Sequence, residues 1–282
     1  MLKEYEILEP YLEEMFYGDL ITNPVLVLFL DLIKKIDNFK LEFTNKVSNG
    51  ITHPARLNLV FSQELISKYK ECMKFLYNVN LLRGIKLDLE KALSLIEGAD
   101  FNKLKLINLG LDLHQNQSKS RVKVWFEFFN SPNLIFDALT AQGYNTEILN
   151  LITNEDILLG IDFFFDGRYN LKIHFRYQDY QTNKIVQAKL ANYFCQRVLN
   201  VMSKSRGFYI SFRQEDFKKF LYFPFDHGVH SFVNDLELSN LNPDTMRFHE
   251  YNPHGIGLYY DDILSKSVSE YNLYYYINNM EK

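Results

Sequence analysis

The chain has 282 residues, 47% apolar and 23% charged, so it can bury a sizeable core and is not a disordered segment. A formal net charge of −4 excludes a general nucleic-acid binder that works through a basic surface. Cys72 and Cys195 are far apart in apolar or helical context and read as free thiols of a reducing compartment, not as a disulfide or a zinc site.

The opening run MLKEYEILEPYLEEMF is acidic, so it is not expected to be a signal or transit peptide. The longest apolar stretch, Pro24 to Leu32, contains Asp31 and is too short for a bilayer. A cytoplasmic protein is expected. With no Gly/Ser-rich or Pro-rich linker, residues 1–282 are expected to form a single domain.

Apolar residues at spacings of three and four predict helices over 3–18 and 24–37. Alternating residues then flank Ser48, Asn49 and Gly50, an Asn-Gly turn signal, and predict a β-hairpin over KLEFTNKVSNGITHPARLNLVF. Helices follow over 63–78 and 87–98. A second strand pair is LKLINLGLDLHQNQSKSRVKVWFEF, turning at Gln115 to Ser120, and 131–152 returns to helical spacing. A third pair, DILLGIDFFFDGRYNLKIHFRY, turns at Asp166 and Gly167. A long helix is predicted over 182–204, then the strand GFYISF, mixed structure to about residue 245, and a last pair, HGIGLYYDDI and YNLYYYIN.

Leu109, Gly110, Leu111 and Asp112 match Leu159, Gly160, Ile161 and Asp162 fifty residues on, so a unit of hairpin then helices repeats. Hairpins pairing edge to edge, about ten strands in all, can close and remove their exposed edges. The expected class is therefore α+β: a closed antiparallel barrel around a ligand cavity, with an outer ring of helices. A parallel barrel would need a helix after every strand. The 24 Phe, 19 Tyr and single Trp suit such a lumen, or equally an ordinary aromatic core.

Side chains alternate across a strand. Lys123, Trp125 and Glu127 share one face, opposite Val122, Val124, Phe126 and Phe128. Asn170, Lys172 and His174 oppose Leu171, Ile173 and Phe175, and Arg56, Asn58 and Val60 oppose Leu57, Leu59 and Phe61. The helices need the apolar faces, so the charged ones point inward. Inward Arg56, Lys123 and Lys172 need an anionic partner. A diphosphate is one candidate; structural pairing with Glu42, Glu127 and Asp162 is the other. His227, His230 and His254 are too scattered for a metal site and read as loop or core histidines.

The runs LEFTNKVSNGITHPAR, NLGLDLHQNQSKSRVKVWFEF, LLGIDFFFDGRYNLKIHF, VQAKLANYFCQRVLNVMSKSRGFYISF, VHSF and LYYYI, in order over about residues 41 to 277, resemble the cyanobactin F-type peptide prenyltransferases. The resemblance implies an ABBA barrel that transfers an isoprenoid from its diphosphate to a side chain of a ribosomally made, cyclic or linear peptide. It implies Mg2+ carried by the diphosphate, with no metal ligand from the protein. It gives Glu42 the place of the acidic residue beside the acceptor, the base. Arg56 and Lys123 match residues that face the diphosphate, and Lys172, His174 and Tyr274 join that set. Tyr209 matches an aromatic position that limits donor length, which favours dimethylallyl over geranyl. Tyr276, in the Tyr-rich last strand, shields the cavity with Trp125 and Tyr209, whose ring faces would stabilise an allylic cation.

The chain departs from the family at Trp125 and Glu127, in place of His and Arg, and at Lys172 and His174, in place of Glu and Tyr. Glu127 and Lys172 then read as a swapped ion pair, or Glu127 as the recognition site for a cationic acceptor. Tyr, Arg and Trp acceptors stay open. The alternatives are a prenyltransferase for small indoles or phenols and a non-catalytic ligand-binding barrel. No nucleic acid, membrane or second subunit is expected, so the protein is read as a monomer.

Overall fold

A computed structural model describes residues 6, 8–16, 18–53, 56–129, 131, 133–134, 140, 150–151, 157–205, 207–212, 218–225, 228–238, 241–242, 246, 248 and 251–277. Most of the helix expected over 131–152 and His227 lie outside the described residues.

The described strands are β1 (Lys40–Ser48), β2 (Ile51–Thr52), β3 (Arg56–Phe61), β4 (Leu104–Asp112), β5 (Arg121–Phe128), β6 (Ile157–Phe164), β7 (Tyr169–Gln178), β8 (Gly207–Phe212), β9 (Lys219–Pro224), β10 (Gly255–Tyr259) and β11 (Glu270–Ile277). Each pairs antiparallel with its neighbours in chain order, except that β3 pairs with β1 directly and β2 only extends the end of β1. β11 returns to β1, in register from Leu41 opposite Ile277 to Ser48 opposite Glu270, and closes a ring of ten strands. The ring has no free edge along its length.

Alternation decides what each face does. Leu57, Leu59 and Phe61 on β3, Ile107, Leu109 and Leu111 on β4, and Val122, Val124 and Phe126 on β5 are fully buried beneath the outer layer. Helix Pro24–Lys35 belongs to that layer. Asn23 accepts from Val25 N–H at 2.9 Å, Pro24 starts the first turn, and Lys34 and Lys35 close the last. Its Phe29 meets Phe75 of helix Leu65–Asn80 edge-on, ring centroids 5.6 Å apart. The hairpin turn is as expected: Asn49 and Gly50 both have positive φ, which Asn and Gly tolerate best.

Several expectations change. The helix over 3–18 is, in its described part, a 3-10 turn Glu9–Tyr11 followed by Leu12–Met15. The long helix over 182–204 is two helices, Lys184–Leu190 and Gln196–Met202. Tyr193 and Phe194 both donate to Leu190 O, Phe194 turns into the core, and extended Cys195 starts the second helix. The apolar period carries across this break because Val186 and Leu190 before it and Val198, Leu199, Val201 and Met202 after it are all buried. The helix over 87–98 is Leu89–Leu93 continued by 3-10 Ser94–Ile96. The last predicted pair keeps only Gly255–Tyr259 of its first strand, since Tyr260–Ser265 coils into a helix. The stretch read as mixed holds β9 and helix Val229–Leu236.

Inward glycines make room for rings. A Cβ on Gly160 would lie 2.2 Å from the Trp125 ring, and on Gly255 2.6 Å from the Tyr222 hydroxyl. Gly160→Ala is expected to push Trp125 off its seat and cost about 1–3 kcal/mol by urea unfolding; an unchanged midpoint would show that the ring is not fixed there.

Candidate active site

The register that closes the barrel also fixes which charges meet. Asp112 stands opposite Arg121, and Lys123 lies between Gly110 and Asp162 on its two neighbouring strands. Asp112, 2% exposed, accepts from Arg121 Nη2 at 2.7 Å and Lys123 Nζ at 3.0 Å, with Arg56 Nε at 3.2 Å and His114 Nε2 at 3.1 Å. Asp162, wholly buried, accepts from Lys172 Nζ at 2.6 Å and meets Arg121 Nη1 at 3.3 Å. Arg121 therefore bridges the two carboxylates.

Burial alone would raise both carboxyls. The cations overcome it: Arg56, Lys123 and Arg121 hold Asp112 well below the usual range, and Lys172 and Arg121 hold Asp162 at about 2. For Lys123 the balance falls the other way. Burial pushes it down to about 7 against the pull of Asp112, with Arg121 and Arg56 adding to the fall. Burial, then Lys172, lowers His174 to about 3, so it stays a neutral ring.

His174 meets Trp125 edge-on, centroids 4.7 Å apart, and Lys172 Nζ lies 6.0 Å from the Trp125 ring. Trp125, Gly160 and Lys172 are level across three strands, and Glu127, Leu158 and His174 are level one step further along the same face. Trp125 thus stands between Glu127 and Lys172, and the ion pair expected between them does not form. Glu127 instead takes Arg176 Nη1 at 2.6 Å, and Lys172 takes Asp162. Arg176 in turn lies over the Tyr209 ring at 5.6 Å.

Glu42 sits beside the aromatic part of the lumen, opposite Tyr276 on one side and Asn58 on the other. Asn58 Nδ2 donates to Oε1 at 3.0 Å, and His254 Nε2 is 3.3 Å from Oε2. His254 stacks on Tyr276, Tyr222 meets Tyr274 edge-on at 4.7 Å, and Tyr209 meets Tyr222 at 5.5 Å. Tyr274 belongs to this wall; Glu42, more than Arg56, sets the field on its hydroxyl after burial.

The structure thus gathers Arg56, Lys123 and Lys172 in one cluster, and Glu42, Tyr209, Tyr274 and Tyr276 along one wall, with Trp125 and His174 between. Sequence reading missed Arg121, Asp112, Arg176, Tyr222 and His254. Arg121 shares the parity of Lys123, Trp125 and Glu127. Asp112 and Asp162 end the repeated tetrapeptides, so that signal was present. In both copies the glycine clears space, for Asn58 at Gly110 and for Trp125 at Gly160. Among the described residues, no three His, Cys, Asp or Glu side chains are grouped to hold a metal ion.

Comparison with known proteins agrees with this architecture. The model of a family of unknown function (DUF5838) matches residues 22–277, and the chain belongs to that family. The crystal structure of 6-dimethylallyltryptophan synthase from Micromonospora olivasterospora in complex with DMASPP and Trp is similar at TM-score 0.59, with 10% identity and 96% of each chain covered. A further 6-dimethylallyl tryptophan synthase gives TM-score 0.56 at 8% identity, covering 96% of this chain and 94% of its own. This chain therefore has the ABBA barrel fold of those proteins. No curated protein matches the sequence. No helix among the described residues is long and apolar enough to cross a membrane.

Asp112→Asn leaves buried cations without their shared anion and is expected to cost about 3–5 kcal/mol in urea unfolding at neutral pH. Since the native Asp112 and Asp162 carboxyls are held low, their stabilisation is complete above the ordinary carboxylate range and is lost as pH falls below it, for Asp162 through about 2. A neutral effect of the substitution would mean that the cluster does not need its carboxylate.

Proposed function

We propose that this barrel transfers an isoprenoid, dimethylallyl in preference to geranyl, from its diphosphate to a side chain of a ribosomally made peptide of the cyanobactin type. The observation that carries the reading is the charge imbalance of the cluster: among the described residues, Arg56, Arg121, Lys123 and Lys172 share only Asp112 and Asp162. A diphosphate supplies the missing negative charge. The aromatic wall begins beside that cluster, at Trp125.

Ionisation breaks the bond between the allylic carbon and the diphosphate oxygen, which leaves with the electron pair. Fixed cations aimed at that oxygen stabilise the developing charge without reorganising. The allylic cation left behind lies among the ring faces of Trp125, Tyr209, Tyr222, Tyr274 and Tyr276, which attract it and keep water away. Glu42 receives the proton that the acceptor gives up as its heteroatom or ring carbon bonds to the allylic carbon. Mg2+ would arrive on the diphosphate and neutralise part of its charge, because both carboxylates in the cluster are already taken by cations.

The peptide acceptor rests on the sequence resemblance. A small aromatic acceptor is the second reading, favoured by the names of the two structural neighbours. Incubating the protein with dimethylallyl diphosphate, Mg2+ and a panel of peptides and free indoles or phenols separates the two by mass spectrometry. A gain of one C5 unit on a peptide is expected. Glu42→Gln is expected to lower that turnover by about 10²-fold or more while donor affinity stays near wild type. Gain on the free aromatics alone would move the protein to the second reading. Wild-type turnover by Glu42→Gln would remove Glu42 from the mechanism.

A further inference from the structure

A carboxylate works as a base only if a lone pair is held toward the acceptor, and among the described residues Asn58 and His254 reach Glu42. Asn58 holds Oε1. The second is His254, which precedes β10 at a bend where strand parity no longer applies. Its backbone is pinned on both sides: its N–H donates to Tyr274 O at 2.7 Å, and its carbonyl accepts from Phe225 N at 2.8 Å.

The ring is pinned as well. It lies flat on Tyr276, centroids 3.8 Å apart and planes within 5°. Its Nδ1 is 3.2 Å from the Tyr222 hydroxyl. Burial, then the charge of Glu42, keeps that hydroxyl protonated far above its ordinary range, and a phenol hydroxyl can donate to or accept from the ring nitrogen. Nε2 faces Glu42 Oε2 at 3.3 Å, and a carboxylate only accepts, so the ring hydrogen belongs on Nε2 and Nδ1 is left to accept from the Tyr222 hydroxyl. Nε2 is buried and, among the described residues, has no hydrogen-bond partner, its approach to Oε2 included. Contacts of this kind tighten when substrate fills a site. Of the two side chains His254 is the more open, at 22% against 11% exposure for Glu42.

We infer that His254 is a positioning residue for Glu42: the Tyr222 hydroxyl and the Tyr276 ring hold its Nε2–H beside Oε2, the bond closes when the acceptor fills the site, and the carboxylate then presents a fixed lone pair to the acceptor. The inference rests on the prenyl-transfer reading of Glu42. The acceptor's bond to hydrogen breaks, its proton goes to Glu42, and the freed electron pair completes the bond to the allylic carbon. His254 keeps its own hydrogen throughout.

Two variants and one spectrum test it. His254→Phe keeps the stack on Tyr276 and loses the donor; His254→Gln returns an amide nitrogen close to the place of Nε2. Turnover of the C5 transfer should fall about tenfold or more in His254→Phe, with KM for donor and acceptor within about twofold, and His254→Gln should recover most of it. Nitrogen-15 NMR of histidine-labelled protein should show His254 protonated at Nε2, with a mixed tautomer in Tyr222→Phe. Wild-type turnover by His254→Phe overturns the inference, and so does an Nδ1-protonated ring in the wild type, whatever the turnover. If no acceptor is alkylated while the Nε2 tautomer and its dependence on Tyr222 both hold, the transfer reading fails and the oriented His254–Glu42 pair stands.

Discussion

Positive charges cannot be packed into the lumen of a barrel unless something negative stands among them. Here that role falls to Asp112 and Asp162, both buried and both shared by several cations. Each ends a strand segment in which a glycine two residues earlier opens space for a neighbour. The arrangement follows from register: antiparallel pairing puts Asp112 beside Arg121, and Lys123 beside Asp162. A slip of one residue would turn the charges outward against the apolar underside of the helices. Closing the barrel and bringing its interior charges into contact are one requirement.

The remainder of the lumen follows from that arrangement. The cluster is polar and carries excess positive charge, whereas the side bounded by Glu42, Tyr274 and Tyr276 is aromatic. Trp125, seated over Gly160, divides the two charge systems. It keeps Lys172 with Asp162 and leaves Glu127 to Arg176. A leaving anion and a transient cation need different surroundings a few ångströms apart, and this division offers them.

Much of this was legible in the sequence. Period-two alternation gave the inward Arg56, Lys123 and Lys172, and the Asn-Gly and Asp-Gly turns placed two hairpins. The repeated Leu-Gly-Leu-Asp and Leu-Gly-Ile-Asp segments contained the structural carboxylates, although their meaning needed the pairing across strands. What escaped depends on geometry that parity does not encode. Glu127 and Lys172 lie on the same face, yet a ring separates them. His254 sits at a bend, and Tyr222 lies in a stretch with no clear period. The break at Ala191 to Cys195 was hidden because apolar residues are buried before it, within it at Phe194 and after it.

The diphosphate site is the central claim, and Lys123 gives the most direct access to it. Its amine sits at about 7 in the free protein, and a bound anion would raise it. Affinity for dimethylallyl diphosphate should therefore fall as pH rises from about 7.5 to 9, by up to about tenfold per unit, with proton uptake on binding. Calorimetric titration across that range, in buffers of different ionisation enthalpy, measures both. The account predicts this slope in the wild type and a flat profile in Lys123→Arg. Absence of binding, or a wild-type affinity that ignores pH, would contradict it.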